Sequence, residues 1–305
     1  MTLTNDARAH LVERAAEMLA RAGGAGGAGG MGGQPPPPPE DVPQPGPADA
    51  GTGLAAPSQL LPRIPLGRLH DAGLARRPEG SAITLVLEEI ALVQHQVLRV
   101  VDDPSTRAGL ASKIVLVASA LPGEGKTFMS LNLAGSIAIT GGRPVVLVDA
   151  DGHPGSLGSI LGLGARPGLR DLMAAPQRRV TDLVLPTEVD GLFVLPHGPI
   201  RQGVLEAAGG GTIAAAIRRL AHALPDHIIM LDPPPCLSTS VCSALAGIAG
   251  QVLLIVDAQR TERSEVEAAL DVLEACPVLQ LVLNRVRLTS NDSFGAHARY
   301  GAYDA

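Results

Sequence analysis

Tryptophan is absent from this 305-residue chain, and its three phenylalanines and two tyrosines bring the aromatic content to only 2%. A packed interior must therefore be aliphatic, and the supply is ample, because apolar residues make up 46% of the chain. Cysteine is scarce as well. Cys236, Cys242 and Cys276 form no C-x-x-C pair, and an odd count argues against a disulfide framework, so a reduced cytoplasm is the expected setting. Positive charge is not in excess: 24 Lys and Arg face 30 Asp and Glu, for a formal net charge of −6, and the arginines are scattered. The electrostatic footprint of a nucleic-acid binder is thus missing, and no nucleic-acid partner is expected. No apolar run approaches the roughly 20 residues of a spanning helix, and the amino terminus lacks the apolar core of a signal peptide. A membrane role, expected to be peripheral at the inner membrane, would have to come through a partner.

What is present changes sharply along the chain. Leu11, Ala15, Met18 and Leu19 recur at helical spacing, which predicts an amphipathic helix within residues 1–22. Residues 23–60 are rich in glycine and proline, with an unbroken proline run from Pro35 to Pro39. Such a stretch cannot bury enough apolar surface to offset its ordering entropy, so it reads as a disordered linker. It either frays as a terminus or gives the first helix a reach of about 30 Å. Residues 61–287 read as one domain, and 288–305 as a flexible tail.

Within that domain Val86, Ile90, Val93, Val97 and Val101 form a helical stripe that ends before Asp102-Asp103-Pro104. Strands and helices then alternate. Ile114–Ala118, Val145–Val148, Leu192–Leu195, Ile228–Leu231, Val252–Val256 and Leu279–Leu283 read as buried strands. Thr127–Ala138, Ile213–Ala223 and Glu265–Ala275 read as helices. The fold class expected is α/β, with a mostly parallel central sheet flanked by helices on both faces.

The first strand runs into Ala120-Leu-Pro-Gly-Glu-Gly-Lys126-Thr127, a Walker A pattern with alanine at its first position, in the strand–loop–helix context it requires. Gly123 and Gly125 let backbone N–H groups approach phosphate oxygens, and the following helix adds partial positive charge. Lys126 can reach the β- and γ-phosphates of ATP, and Thr127 can offer its hydroxyl to Mg2+. The expected nucleotide contacts are Pro122, Gly123, Glu124, Gly125, Lys126, Thr127 and Phe128. Two further strands end in carboxylates, at Asp149-Ala-Asp151 and at Asp232-Pro-Pro-Pro235. Strand ends of this kind face the crevice where parallel sheets bind ligands. Asp232 has the position of a Walker B magnesium ligand. Asp149 and Asp151 are candidates to hold the metal and to orient or deprotonate an attacking hydroxyl. The expected metal set is Thr127, Asp149 and Asp232, and the expected catalytic set Lys126, Asp149, Asp151 and Asp232.

These elements resemble the Walker A, A′ and B motifs of the bacterial tyrosine kinases, a P-loop NTPase family. Within it the likeness is to the exosortase-associated autokinases of exopolysaccharide loci. Leu11-Val-Glu-Arg-Ala-Ala, Arg68-Leu-His-Asp-Ala-Gly, Cys276-Pro-Val and Leu281-Val-Leu-Asn-Arg285 extend the likeness to most of the chain outside the Gly/Pro insert. The resemblance implies ATP-dependent autophosphorylation of tyrosines in the carboxy-terminal tail, between neighbouring subunits. It also implies self-association, a membrane polysaccharide co-polymerase of the chain-length determinant type as activator, and control of exopolysaccharide synthesis or export. Tyr300 and Tyr303, the only tyrosines, stand in the polar, Gly/Ala-rich tail and are the expected acceptors.

Three departures from the family pattern stand out. The A′ element of relatives reads D-x-D-x-R, whereas here His153 replaces the arginine; an imidazole is mostly neutral near pH 7 and a guanidinium is not. The ring-supporting E-x-x-R-x-x-R pattern reduces to Glu88, Ala91 and Gln94. The tail carries two tyrosines where relatives often carry a cluster, so full modification adds roughly −3 to −4 charges. Two other functions therefore remain in view. One is an ATP-binding regulatory module with little or no phosphotransfer. The other is a partitioning or division-site ATPase, which carries a signature lysine where this chain has Leu121.

Overall fold

The computed structural model describes residues 61–75, 84–103, 109–175, 177–199 and 210–286. The amphipathic helix expected in 1–22, the linker 23–60 and the tail tyrosines lie outside these residues.

Six aliphatic runs fold as strands; β1, β2, β5 and β6 are buried throughout, which Val, Ile and Leu runs achieve inside a layered α/β body, whereas β7 at the edge is only half-buried. The strands are β1 (Ile114–Ser119), β2 (Val145–Asp149), β4 (Leu192–Leu195), β5 (Ile228–Asp232), β6 (Gln251–Asp257) and β7 (Leu279–Asn284), with a short β3 (Leu185–Pro186). Their order across the sheet is β3-β4-β2-β5-β1-β6-β7, and every neighbouring pair is parallel except β3 with β4. Only β3 was not legible in advance. Two residues, one of them proline, carry no alternation to read.

Alternate residues of β1 separate the two halves of the core. Ile114, Leu116 and Ala118 join one apolar cluster with α5 (Leu169–Ala174), α6 (Gly210–Ala223), α7 (Val241–Ala246) and α8 (Arg263–Leu273). Val115 and Val117 join the other with α1 (Leu66–Asp71), α2 (Thr84–Asp102) and α3 (Lys126–Ile139). A short α4 (Leu157–Ile160) follows β2. From β1 the chain crosses by α3 to β2 on one side, and later passes from β5 over β1 to β6 on the other. The carboxyl end of β1 thus sits where the winding reverses, the place at which open α/β sheets bind ligands.

Two surface details bear on the sequence reading. Ile64 adds to the outer edge of the sheet by pairing with Thr187, and the Glu188 carboxylate accepts the Leu66 N–H at 2.7 Å, so residues 61–75 are part of the domain. Gln94 does not point outward as the family's arginine pattern implies. Its side-chain oxygen accepts the hydroxyls of Ser136 (2.5 Å) and Thr140 (2.9 Å), clamping α2 onto α3. No helix among the described residues is long and apolar enough to cross a membrane.

Candidate functional site

The loop between β1 and α3 turns on two glycines with left-handed backbone, Gly123 at φ +82° and Gly125 at φ +96°. No side chain caps the start of α3, so its first N–H groups remain free to meet an anion. Pro122 and Gly123 are exposed and Thr127 half-buried. Phe128 lies against Gly73, and Asn132 staples that segment to α3 by accepting the Ala75 N–H and donating to Gly73 and Phe128 carbonyls.

The side chain of Glu124, unlike its backbone, faces away from the open side of the loop. Its carboxylate is turned inward and buried, accepting the Leu121 N–H at 2.7 Å, the Asp257 N–H at 3.3 Å and the Thr261 hydroxyl. Asn284, at the end of β7, donates to the Glu124 carbonyl at 2.8 Å. These bonds brace the loop against β6 and β7. Arg285 is itself held at φ +58° by an ion pair to Asp257 (2.6 Å) and a bond from Gln259 (2.5 Å) to its carbonyl. Burial alone would raise the Asp257 carboxyl, but the Gln259 N–H and the Arg285 guanidinium hold it below its ordinary value.

Lys126 points away from solvent and donates to Asp232 at 2.6 Å, with Ser130 adding a hydroxyl at 3.2 Å to the same oxygen. The other Asp232 oxygen is buried and has no hydrogen-bond partner among the described residues. Burial pushes the Asp232 carboxyl up, against the pull of Lys126 and the nearby Thr127 hydroxyl. An orphaned carboxylate oxygen beside a threonine hydroxyl fits a hard divalent cation such as Mg2+ that keeps most of its water or phosphate ligands. No cluster of three or more His, Cys, Asp or Glu able to hold a metal by itself occurs among the described residues.

Asp149, an expected metal ligand, also organises the loop that follows it. Fully buried, it accepts the N–H groups of Asp151 (3.0 Å) and Gly152 (3.4 Å) on one oxygen. Its other oxygen accepts the Ser156 hydroxyl (2.8 Å) and the Gly158 N–H (2.7 Å). The carboxylate thereby folds the loop from 151 to 158. Asp149→Ala is expected to cost about 3 kcal/mol or more, because several buried donors lose a charged acceptor. Urea unfolding in the absence of nucleotide and metal checks this, and an unchanged midpoint would return Asp149 to a purely ligand-binding role. Asp151 is less buried and meets the His153 ring at 2.6 Å. Asp149 and Asp232 stand side by side in register across β2 and β5, which brings all three strand-end carboxylates to one edge.

No family model matches the chain. Among curated proteins it is similar to the EpsB proteins of Ralstonia solanacearum and Ralstonia nicotianae, at 29% and 31% identity over 219 residues. Those alignments cover 67% of this chain but 29% of each relative, so the chain spans less than a third of their length. It is also 29% identical over 202 residues to the tyrosine-protein kinase CpsD of Streptococcus agalactiae, covering 64% of this chain and 83% of that protein. Among solved structures the VpsO kinase domain matches with a TM-score of 0.53 and 26% identity, over 67% of this chain and 98% of that one. The kinase domain of Escherichia coli ETK shares the fold with a TM-score of 0.51 at 19% identity, over 71% of this chain and 86% of that one. These matches bear on the wider family and do not single out its exosortase-associated members.

Proposed function

We propose that this chain, a relative of the bacterial tyrosine-protein kinases with their P-loop fold, uses ATP to phosphorylate tyrosines of its own carboxy-terminal tail. One observation carries the reading: a glycine-turned loop at the reversal point of the sheet places Lys126 on a buried Asp232 whose second oxygen lacks a partner among the described residues. On binding, the phosphates of ATP take over the Lys126 ammonium and the first N–H groups of α3. Mg2+, when bound at Asp232 and Thr127, supplies neutralisation of the phosphate charge. The phenolic oxygen of Tyr300 or Tyr303 bonds to the γ-phosphorus as its bond to the β,γ-bridging oxygen breaks. ADP departs, and the phenol proton passes to the Asp151 carboxylate. Positioning and charge do the work, without a covalent enzyme intermediate.

Leu121 argues against a partitioning ATPase, since its side chain packs on the apolar core where those proteins carry a lysine. The pairing of His153 with Asp151 favours one second reading, a nucleotide-dependent binding module with weak transfer. In either case the context we propose is a cytoplasmic protein held at the inner membrane by a polysaccharide co-polymerase of the chain-length determinant type. There it self-associates and controls exopolysaccharide synthesis or export.

Purified protein given Mg·ATP is expected to gain phosphotyrosine, and the Tyr300→Phe/Tyr303→Phe double variant to gain none. Phosphate incorporation that survives the double change would refute the tail as acceptor. ATP-dependent partner binding without any phosphotyrosine would favour the binding module.

A further inference from the structure

Next to the carboxylates, the edge of the sheet continues into a cavity of about 310 Å³ between the loop after β2 and the exit of β4. Gly152, His153, Ser156 and Ser159 form one side, with Pro196 and His197 on the other. None of the phosphate-loop residues lines it. We propose that this cavity is the acceptor subsite, which receives the phenol ring of a tail tyrosine against the wall made by His197. The inference rests on the kinase reading and names where that reaction holds its second substrate.

Direction along the sheet is the first argument. From β7 toward β4, the strand ends present Asn284 braced on the phosphate loop, the loop itself, Asp232, Asp149 and then the cavity. Lys126 leans from the loop toward Asp232, so the terminal phosphates it would hold point toward β2. An in-line acceptor has to stand on the far side of the phosphorus it attacks. The cavity opens there, one to two strand spacings beyond Asp232, or about 5–10 Å.

Shape and chemistry agree. The His197 ring lies where a side chain on residue 152 would be: a Cβ there would come within 2.4 Å of the imidazole, and Gly152 has φ +67°. The slot is therefore kept by a glycine and walled by a flat ring. No lysine or arginine is among the described residues lining it, and its one carboxylate, Asp149, is already bonded four ways. A second phosphate would find no countercharge. A neutral ring with one polar tip finds proline and leucine walls together with serine hydroxyls.

The occupant is within reach. Val286 is the last described residue, and 13 residues lie between it and Tyr300. Random-coil statistics for that number of residues give a root-mean-square span of about 20 Å, close to the about 24 Å of the five strand spacings from β7 to β4. The tail of this copy or of a neighbouring one can therefore deliver a tyrosine.

The test uses the full chain with Tyr300→Ala and Tyr303→Ala as enzyme, and a fluorescein-labelled peptide of residues 297–305 as acceptor. Peptide binding is read by anisotropy with ADP and Mg2+, and transfer is read as phosphotyrosine with Mg·ATP. Ser159→Leu, which fills the exposed lip, and His197→Ala, which removes the wall, are expected to weaken peptide binding and raise its KM about tenfold. ADP affinity and thermal midpoint should stay unchanged, and His197→Phe, which keeps a flat ring, should bind near the parent level. Peptide binding and KM unaltered in both Ser159→Leu and His197→Ala would overturn the subsite while leaving the kinase reading standing, as would a parent enzyme that phosphorylates the peptide without a saturable KM. Peptide binding that is lost in those variants but never leads to phosphotyrosine would support the subsite and overturn the kinase reading.

Discussion

Lys126→Met is expected to abolish tail phosphorylation and also to destabilise the protein when no nucleotide is present. The transfer loss should reach at least about 10²-fold, the scale on which a preorganised donor to developing phosphate charge acts. The stability loss has a separate origin. Lys126 and Asp232 are both buried, and removing one partner of a buried ion pair costs about 3–5 kcal/mol because the other charge is left uncompensated. Burial already raises the Asp232 carboxyl, so the folded variant tolerates it better protonated. The deficit should therefore be largest above that raised value and shrink as pH falls toward the ordinary carboxylate range. Lys126→Met/Asp232→Asn should recover most of the stability and none of the activity. Urea unfolding at pH 8 and pH 6, beside a phosphotyrosine assay, reads both effects. A single variant as stable as the parent at pH 8 would show that the ion pair does not hold the empty site together.

Gly125→Ala should be nearly as damaging to nucleotide binding, for a reason of space. Residue 125 has φ +96°, and a Cβ on it would sit 2.2 Å from the Asn284 amide nitrogen that holds the Glu124 carbonyl. The variant must shift the loop, break the Asn284 bond, or both. Expected costs are about 1–3 kcal/mol in stability from the backbone strain and about 10²-fold or more in ATP affinity from the displaced N–H groups. Gly123→Ala provides the control. Its backbone is equally left-handed at φ +82°, but the nearest atom to a new Cβ is 3.9 Å away, so strain acts without collision. Nucleotide titration should rank the parent above Gly123→Ala and Gly123→Ala above Gly125→Ala. Equal affinities for the two variants would remove Asn284 from the argument.

The sheet was legible because its strands are aliphatic runs with no competing period, and the phosphate loop because its glycines and lysine have fixed spacing. What escaped the sequence was the direction of side chains. Asp149 reads as a ligand from its place after a strand, but the donors that claim it, Ser156 and Gly158, follow seven and nine residues later on a loop whose path no local pattern sets. Glu124 sits among residues that touch phosphate in such loops, yet its acceptors' partners lie more than 130 residues away at Asp257 and Thr261. Gln94 was read against a ring-supporting pattern of charges, whereas Ser136 on α3 and Thr140 at its cap hold it onto that helix. In each case tertiary pairing decided the role, and a one-dimensional pattern holds no record of such pairing.

The brace on the phosphate loop also ties together two parts of the molecule that look unrelated along the chain. Asn284 fastens the loop from one side, and the next residue, Arg285, is locked to Asp257, which in turn hydrogen-bonds the loop's own Glu124. Past Val286 the chain continues into the segment that carries both tyrosines. The bed of the nucleotide and the root of the tail are thus a single mechanical part. A pull on the tail meets Arg285 and its partners first, and reaches the loop at the Glu124 carbonyl through one amide side chain.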